Sequence, residues 1–271
     1  MFFLVSAVFH YLGPSFAVLL FALVEPLGVA WLRIASAALV FALWRRPWRF
    51  FLNADRKTLL IVGALGAILA AMNAVFYLAI EKMPLASVAC IEFVATIAVA
   101  LIGVRGARNF GALAISVTGV YTLIGFAGID DFSGLVFAVI NAILFALYIV
   151  LGHASARIGG GSSIDRLAAA MLVAMVLAAP FGIGDASVAF VSPILLLAGL
   201  GVGLSSSVIP YVCDQLAMAR LPRATFALML ALLPATAAIV GALVLRQIPS
   251  SVELFGIALV AVGIAIHKPT A

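Results

Sequence analysis

Charged residues are so sparse along this 271-residue chain that they divide it into apolar runs, each about long enough to cross a lipid bilayer. Hydrophobic residues make up 66% of the chain and charged residues 9%, whereas soluble domains have roughly 45–50% and 25%. A water-soluble domain is therefore excluded. Three runs carry one charged residue each, namely Arg33 in 26–44, Glu92 in 84–104 and Glu253 in 250–267. Seven runs carry none: 2–24, 58–80, 109–129, 132–156, 167–184, 186–213 and 224–245. The pattern predicts an all-α membrane protein with ten transmembrane helices.

Lysine and arginine residues fall unevenly on the two sides that ten alternating spans define. If the first span starts in the cytoplasm, twelve of these residues lie on the cytoplasmic side, and only Lys82 and Arg246 lie outside. Cytoplasmic loops of membrane proteins are enriched in basic residues. We therefore expect both termini to be cytoplasmic, and we interpret the net charge of +5 as a topology signal. No nucleic acid partner is expected.

The two halves of the chain share a weak internal repeat. Residues 73–87 align without a gap with residues 211–225, pairing Lys82 with Arg220 and Pro84 with a second proline. Five spans per half would place the second copy upside down in the membrane, and inverted repeats are typical of secondary transporters. We expect a first repeat at residues 1–130 and a second at 131–271. The alternative is chance similarity between Ala- and Leu-rich helices. However, both copies contain a turn with a basic residue, an apolar residue and a proline in succession, which is more specific than a match between apolar residues alone.

Several segments resemble a known family. They are LRIASAAL in the second span, NAVFYLAIEKMPLASVACIEF across the third and fourth, FALYIVLGH in the sixth, and SSSVIPYVCDQLAMARLPRATFALMLALLPATAAIVGALVL across the eighth and ninth. Together they resemble the EamA-type drug/metabolite transporter superfamily, most of all its threonine/homoserine exporter branch. The resemblance implies a bacterial inner-membrane exporter of small amino acids or related metabolites. The chain departs from that branch at Thr96, where a proline is usual, and at Leu233, where a glutamate usually precedes Pro234, so its substrate can differ from threonine.

Three ionisable residues lie inside predicted spans, where charges are costly and rarely face lipid. Glu92 follows Pro84 by eight residues, about 12 Å along a helix, which places it near the membrane midplane. In a functional role, Glu92 would titrate during transport or bind a substrate amine. In a structural role, it would only pair with Arg33. Arg33 is within snorkelling reach of the interface and is either a structural anchor or a clamp for a carboxylate. Asp214 is either a solvated cap or a cytoplasmic gate.

Polar and aromatic residues recur at helical spacing beside these three charges, and we expect the faces that carry them to point inward. Any one of them more often serves interhelical packing, but together they indicate a cavity between the halves. The candidates for substrate binding or coupling, besides Glu92, are His10, Tyr11, Asn73, Tyr77, Thr96, Asn141, Tyr148, Ser207 and Tyr211.

No other chemistry is indicated by the sequence. The three histidines are far apart, so neither a metal site nor a cofactor is expected, and we do not expect an enzyme. The favoured function is export by alternating access, with a small molecule and the lipid bilayer as partners. A passive facilitator or channel, or an exporter of drugs or nucleosides, remains the alternative. The sequence leaves proton coupling and the oligomeric state open.

Overall fold

The structure, a computed structural model, describes residues 2–103, 106–127, 132–156, 158, 162–220 and 232–266. These residues form helices joined by short turns, and none of them lies in a β-strand. The helices of the first part are α1 (Phe2–Leu20), α2 (Pro26–Arg45), α3 (Trp48–Asn53), α4 (Arg56–Lys82), α5 (Leu85–Gly103) and α6 (Ala107–Ala127). Those of the second part are α7 (Phe132–Ala156), α8 (Ser163–Gly182), α9 (Ser187–Phe190), α10 (Pro193–Gly203), α11 (Ile209–Arg220), α12 (Leu232–Leu245) and α13 (Ser251–Ile266), with a π-helical turn at Leu204–Val208.

Local sequence accounts for where several helices begin. Pro26 is the first residue of α2, a position where the missing N–H of proline is not needed. The Asp55 side chain accepts a hydrogen bond from the backbone N–H of Lys57 (3.2 Å) and caps α4. Ser162 caps α8 in the same way, and Ser192 caps α10. Each cap satisfies a backbone donor that the helix itself leaves unpaired.

Five stretches of the described chain are long and apolar enough to cross a membrane: Pro26–Arg45, Arg56–Lys82, Phe132–Gly152, Ser163–Gly182 and Pro193–Asp214. Shorter apolar helices accompany them. Large apolar side chains also point away from the protein, with Leu43 83% and Leu243 78% exposed. Such a surface suits lipid rather than water. The chain is therefore an all-helical, multi-pass membrane protein.

The predicted boundaries are wrong at three places. The expected continuous span 186–213 is divided, because α9 ends at Phe190 and α10 starts only after the Ser192 cap. The π-helical turn Leu204–Val208 then interrupts the α-helical hydrogen bonding before α11 continues to Arg220. The first helix ends at Leu20 instead of 24, and the short α3 was not predicted. Apolar periodicity does not detect such breaks, since the residues around them stay uniformly apolar or small.

The two parts of the chain pack against each other in matched pairs. Helix α4 packs on α7, as α1 packs on α11; α4 packs on α8, as α2 packs on α10; and α5 packs on α7, as α1 packs on α12. The contacts of α2 with α8 and of α6 with α13 also join the two parts. Small residues let these helices approach closely, for example Ala37 and Ala38 on α2 and Ala169 and Ala170 on α8, all fully buried. As a result, helices from both parts surround the middle of the bundle.

Polar contacts join the helix ends that carry most of the basic residues, which we call the basic end. There, Arg45 of α2 forms an ion pair with Asp165 of α8 (2.6 Å). On α6, the Arg108 Nε donates to the carbonyl oxygen of Ile266 at the end of α13 (2.7 Å). At the opposite end of the bundle, the Gln247 side chain accepts a hydrogen bond from the backbone N–H of Leu85 (3.2 Å).

Candidate functional site

A small cavity lies near the middle of the helices, between the two parts of the chain. Its volume of about 20 Å³ holds about one water molecule and is far below the roughly 300–1,000 Å³ of ordinary ligand pockets. In this structure the cavity is therefore closed to any ligand larger than a water molecule. Six helices line it, through His10 and Pro14 (α1), Arg33 (α2), Met72, Asn73 and Phe76 (α4), Glu92 (α5), Asn141 and Phe145 (α7) and Tyr211 (α11).

Glu92 and Asn141 form a hydrogen bond that crosses from the first part of the chain to the second. The Asn141 Nδ2 donates to the Glu92 Oε2 at 2.6 Å. Both side chains are buried, Glu92 being 4% exposed and Asn141 0%. Among the described residues, no partner meets the Oδ1 of Asn141. This leaves a buried acceptor directly beside the carboxylate.

Arg33 is buried instead of snorkelling to the interface, so that part of the sequence-based interpretation is wrong. Its side chain is 4% exposed. The Nε donates to Ser207 Oγ and the Nη2 donates to the Ser206 carbonyl oxygen, both at 2.8 Å. The guanidinium carbon also lies 5.5 Å from the centre of the Tyr77 ring, within range of a cation–π interaction. Because these groups replace water around the guanidinium, the charge is tolerated inside the bundle.

Both hydrogen-bond partners of Arg33 lie on the π-helical turn. A π-helical segment shifts the backbone pairing from i−4 to i−5 and is often found at functional sites. The turn also packs tightly on α1, since a Cβ at Gly13 would lie 2.6 Å from the backbone nitrogen of Ser206. Glycine at position 13 therefore permits the close approach of α1 to the turn that holds Arg33.

Tyr211 lines the cavity, and three further tyrosines, Tyr11, Tyr77 and Tyr148, pack beside residues of the lining. The Tyr148 ring lies 5.8 Å from that of Tyr211, and His10 packs edge-on against Tyr11 at 5.3 Å. The Tyr11 hydroxyl is buried and has no hydrogen-bond partner within the described part of the chain. The Tyr77 hydroxyl lies near Arg33 and Ser206, and that of Tyr211 lies near Asn73, although neither meets these groups in good hydrogen-bond geometry. Of these three residues, Tyr211 belongs to the described lining of the cavity.

The other predicted site residues have different surroundings. Asn73 lines the cavity but donates its amide to the Leu69 carbonyl of its own helix (2.7 Å). The Thr96 side chain lies outside the described residues. Asp214 is absent from the cavity lining and is half-buried. It is not simply a solvated cap, because its Oδ1 accepts a hydrogen bond from Ser6 Oγ of α1 (2.5 Å).

Sequence reasoning missed several residues that the structure brings to the site. Met72, Phe76 and Phe145 line the cavity, and apolar residues in an apolar helix give no signal. Ser206 contributes a backbone carbonyl, which no side-chain pattern reveals, although a run of three serines in an apolar span is a cue. Within the part of the chain that the structure describes, no group of three or more His, Cys, Asp or Glu residues is placed to hold a metal ion.

Ionisable residues buried around a cavity within a bundle of membrane-spanning helices are typical of proteins that move ions or small molecules across the membrane. Comparison with known proteins identifies the family. The model of the EamA-like transporter family matches residues 132–267, and exporters resemble the chain over most of its length. The chain belongs to the EamA-like transporter family.

Two relatives and one solved structure illustrate the similarity. The chain is 32% identical over 251 residues to the threonine/homoserine exporter RhtA of Salmonella typhimurium (strain SL1344), covering 90% of this chain and 82% of that protein. It is 31% identical over 250 residues to RhtA of Escherichia coli (strain K12), with the same coverage of 90% and 82%. A crystal structure aligns with 98% of this chain and 97% of its own, with a TM-score of 0.63 and 17% identity, which shows the fold alone.

Proposed function

We propose that the protein exports threonine, homoserine or another small amino acid, or a related metabolite, across the bacterial inner membrane. The observation that carries the proposal is one buried cavity lined by both an acidic residue, Glu92, and a basic residue, Arg33. A zwitterionic amino acid has an ammonium group and a carboxylate group. A cavity with charges of both signs matches such a molecule, and the similarity to threonine/homoserine exporters supports the same substrate class.

The contacts of these residues suggest how each would bind the substrate. Glu92 and the Oδ1 of Asn141 together offer acceptors for the ammonium group. Arg33 offers a bidentate fork for the carboxylate, which would replace Ser207 as an acceptor of the Nε hydrogen. The hydroxyls of Tyr77 and Tyr211 would donate to the same carboxylate. We assign to the wall of the widened cavity the remaining candidates: His10, Tyr11, Asn73, Thr96 and Tyr148.

The proposed architecture is ten transmembrane helices in two inverted repeats, residues 1–130 and 131–271. Three observations support it: the matched packing pairs between the two parts, the alignment of residues 73–87 with 211–225, and a family match that covers the second repeat. In an inverted pair of repeats, the site lies where the halves meet, and rocking of one half against the other exposes it alternately to each side.

The closed cavity must open toward the cytoplasm to load substrate. If the termini are cytoplasmic, as the distribution of basic residues predicts, the basic end faces the cytoplasm. Opening would then separate Ser6 from Asp214 and Arg45 from Asp165, since each of these contacts joins the two halves. We assign Asp214 to this gate. Proton uptake at Glu92, in exchange for substrate, is the proposed form of coupling.

Counterflow in proteoliposomes tests the function. Vesicles loaded with unlabelled threonine should accumulate labelled threonine or homoserine, and a parallel panel of nucleosides and drug-like amines should exchange much less. A passive facilitator would equilibrate the substrate and ignore an imposed pH gradient. Exchange of nucleosides or amines alone would refute the amino-acid proposal, and exchange of nothing in the panel would refute transport of all three classes.

Replacing Glu92 with glutamine tests its role, because glutamine keeps the shape and the hydrogen bonding but cannot titrate. If coupling depends on this carboxylate, Glu92→Gln exchanges substrate for substrate but no longer responds to a pH gradient. If the carboxylate binds the ammonium group, both activities fall together. Glu253→Gln is the matched control, since Glu253 is not among the described residues that line the cavity and accepts a hydrogen bond from the backbone N–H of Ser250 at the start of its own helix (2.7 Å). Wild-type behaviour of Glu92→Gln in both assays would refute the assignment.

Single-cysteine labelling tests the orientation, after alanine replaces Cys90 and Cys213. Arg49→Cys lies at the basic end and Glu81→Cys at the opposite end, and both positions are exposed. In intact cells, a membrane-impermeant maleimide should label position 81 and should label position 49 only after permeabilisation. The reverse pattern would refute cytoplasmic termini.

A further inference from the structure

The segment that joins α2 to α4, residues 44–57, concentrates positive charge at one edge of the bundle. We call it the basic collar. Its only acidic residue is Asp55, which caps α4. Its five basic residues are Arg45, Arg46, Arg49, Arg56 and Lys57. The density of one sign of charge is greater here than elsewhere in the chain, and the collar lies directly beyond a predicted membrane span.

Only one of these basic residues has a partner of opposite charge within the described part of the chain. Arg45 pairs with Asp165, with both side chains about one-third exposed at 29% and 30%. Arg46, Arg49, Arg56 and Lys57 are exposed, and none forms an ion pair with another described residue. Four cations are therefore available to an anionic partner.

Large apolar side chains are exposed in the same segment. Trp48 is 49%, Phe51 37% and Leu52 82% exposed, and their spacing places them on one face of the short helix α3. Phe50 points the other way and packs against the core. Exposed tryptophan and leucine beside arginine are typical of a helix lying in the membrane interface, where the apolar face enters the acyl region.

The backbone at the start of the collar is unusual. Arg46 follows α2 in the left-handed conformation (φ 51°), which glycine usually adopts at a helix end because side chains disfavour it. Arg246 has the same conformation (φ 57°) after α12. Arg246 lies at the opposite end of the bundle and outside the collar, so it provides a matched control for the arginine at position 46.

We propose that the basic collar binds an anionic phospholipid. The phosphate would lie among Arg46, Arg49, Arg56 and Lys57, while Trp48 and Leu52 contact the acyl chains. Basic clusters next to a membrane span attract anionic lipids, and each basic residue strengthens binding about five-fold. Exposed apolar residues next to the cations favour a lipid over a soluble phosphate, because a soluble anion would leave them unused.

The test compares lipid binding by wild type and a variant in which glutamine replaces all four exposed cations. Purified protein is titrated with phosphatidylglycerol or phosphatidylcholine, and bound lipid is counted by native mass spectrometry. We expect affinity for phosphatidylglycerol to fall at least ten-fold in the variant, with affinity for phosphatidylcholine unchanged. The control Lys82→Gln/Arg246→Gln should bind both lipids as wild type does.

Two outcomes would overturn the proposal: an unchanged preference for phosphatidylglycerol in the four-residue variant, or an equal loss in the control. A third titration adds inorganic phosphate to the protein with bound phosphatidylglycerol. If phosphate displaces the lipid at a comparable concentration, the collar is a site for soluble anions and the lipid site is refuted. Should the four-residue variant fail to fold, Arg49→Gln alone is measured. It should bind phosphatidylglycerol about five-fold more weakly, and an unchanged affinity would refute the proposal.

Discussion

Replacing Arg33 with lysine or with methionine should separate its effects on stability and on transport. We expect the methionine variant to be at least as stable as the lysine variant, and the lysine variant to transport better. The Arg33 guanidinium donates two hydrogen bonds of 2.8 Å, to Ser207 Oγ and the Ser206 carbonyl. A bond that involves a charged group contributes about 1.5–3 kcal/mol. In Arg33→Lys, the shorter ammonium group keeps a buried charge but loses at least one of these bonds. The free energy of unfolding should therefore fall by about 1.5–3 kcal/mol.

In Arg33→Met, both bonds are lost, which alone corresponds to about 3–6 kcal/mol. However, methionine also removes the penalty of burying a charge, which offsets part of this loss. We therefore expect Arg33→Met to be at least as stable as Arg33→Lys. Transport should have the reverse order, because only lysine retains a cation for the substrate carboxylate.

Two measurements on the same purified variants test this prediction. Unfolding in mixed detergent micelles gives the order of stability, and counterflow in proteoliposomes gives the order of transport. If Arg33→Met transports at the wild-type rate, Arg33 does not bind the substrate. If Arg33→Lys is as stable as wild type, the two hydrogen bonds to the π-helical turn do not contribute to the free energy of unfolding.

The remaining predictions concern the gate, the helix contact and the helix cap. Asp214→Asn alters the hydrogen bond from Ser6 to this side chain and should increase cysteine accessibility of the cavity from the basic end; unchanged accessibility would contradict the gate. Gly13→Ala places a methyl group 2.6 Å from backbone and should abolish transport, whereas Gly63→Ala meets nothing within 4 Å and should not. Hydrogen bonds to Asp55, with that from Thr58 the strongest, lower the pKa of this carboxyl from its usual 3.8. The cap should therefore stabilise α4 fully above pH 3.8 and be lost as the pH falls through the lowered pKa of Asp55. Faster amide exchange in the first turn of α4 would report the loss, whereas equally fast exchange in wild type and Asp55→Ala at neutral pH would contradict the prediction.

The sequence predicted the class of the protein because a bilayer imposes a simple rule. Backbone polar groups must be paired within each span, so long apolar runs can only be helices. The same rule directs charges and amides inward, and Glu92, Asn141 and Arg33 do line one cavity. The family was also recognisable, because proline turns and polar residues repeat at fixed spacing in segments that are otherwise uniform.

Details that depend on tertiary contacts could not be predicted in this way. The short α3 lies at the bundle edge, where its six residues are too few to show a period. The π-helical turn has the composition of the helices around it. Arg33 was assigned to the interface by counting residues from the end of its span, and this count ignores the acceptors that a neighbouring helix supplies inside the bundle.

The contacts of Arg33 also suggest how substrate binding and opening can be coupled. In the closed state, the guanidinium joins α2 of the first half to the π-helical turn of the second. A ligand changes a conformational equilibrium only through its different affinities for the two states. A carboxylate that competes with Ser207 for the Nε hydrogen would meet this condition, because it binds where the cross-half bond is broken. On this proposal, Arg33 would stabilise the closed empty state and would bind substrate in the open state. A structural role and a functional role would then belong to one residue in two states.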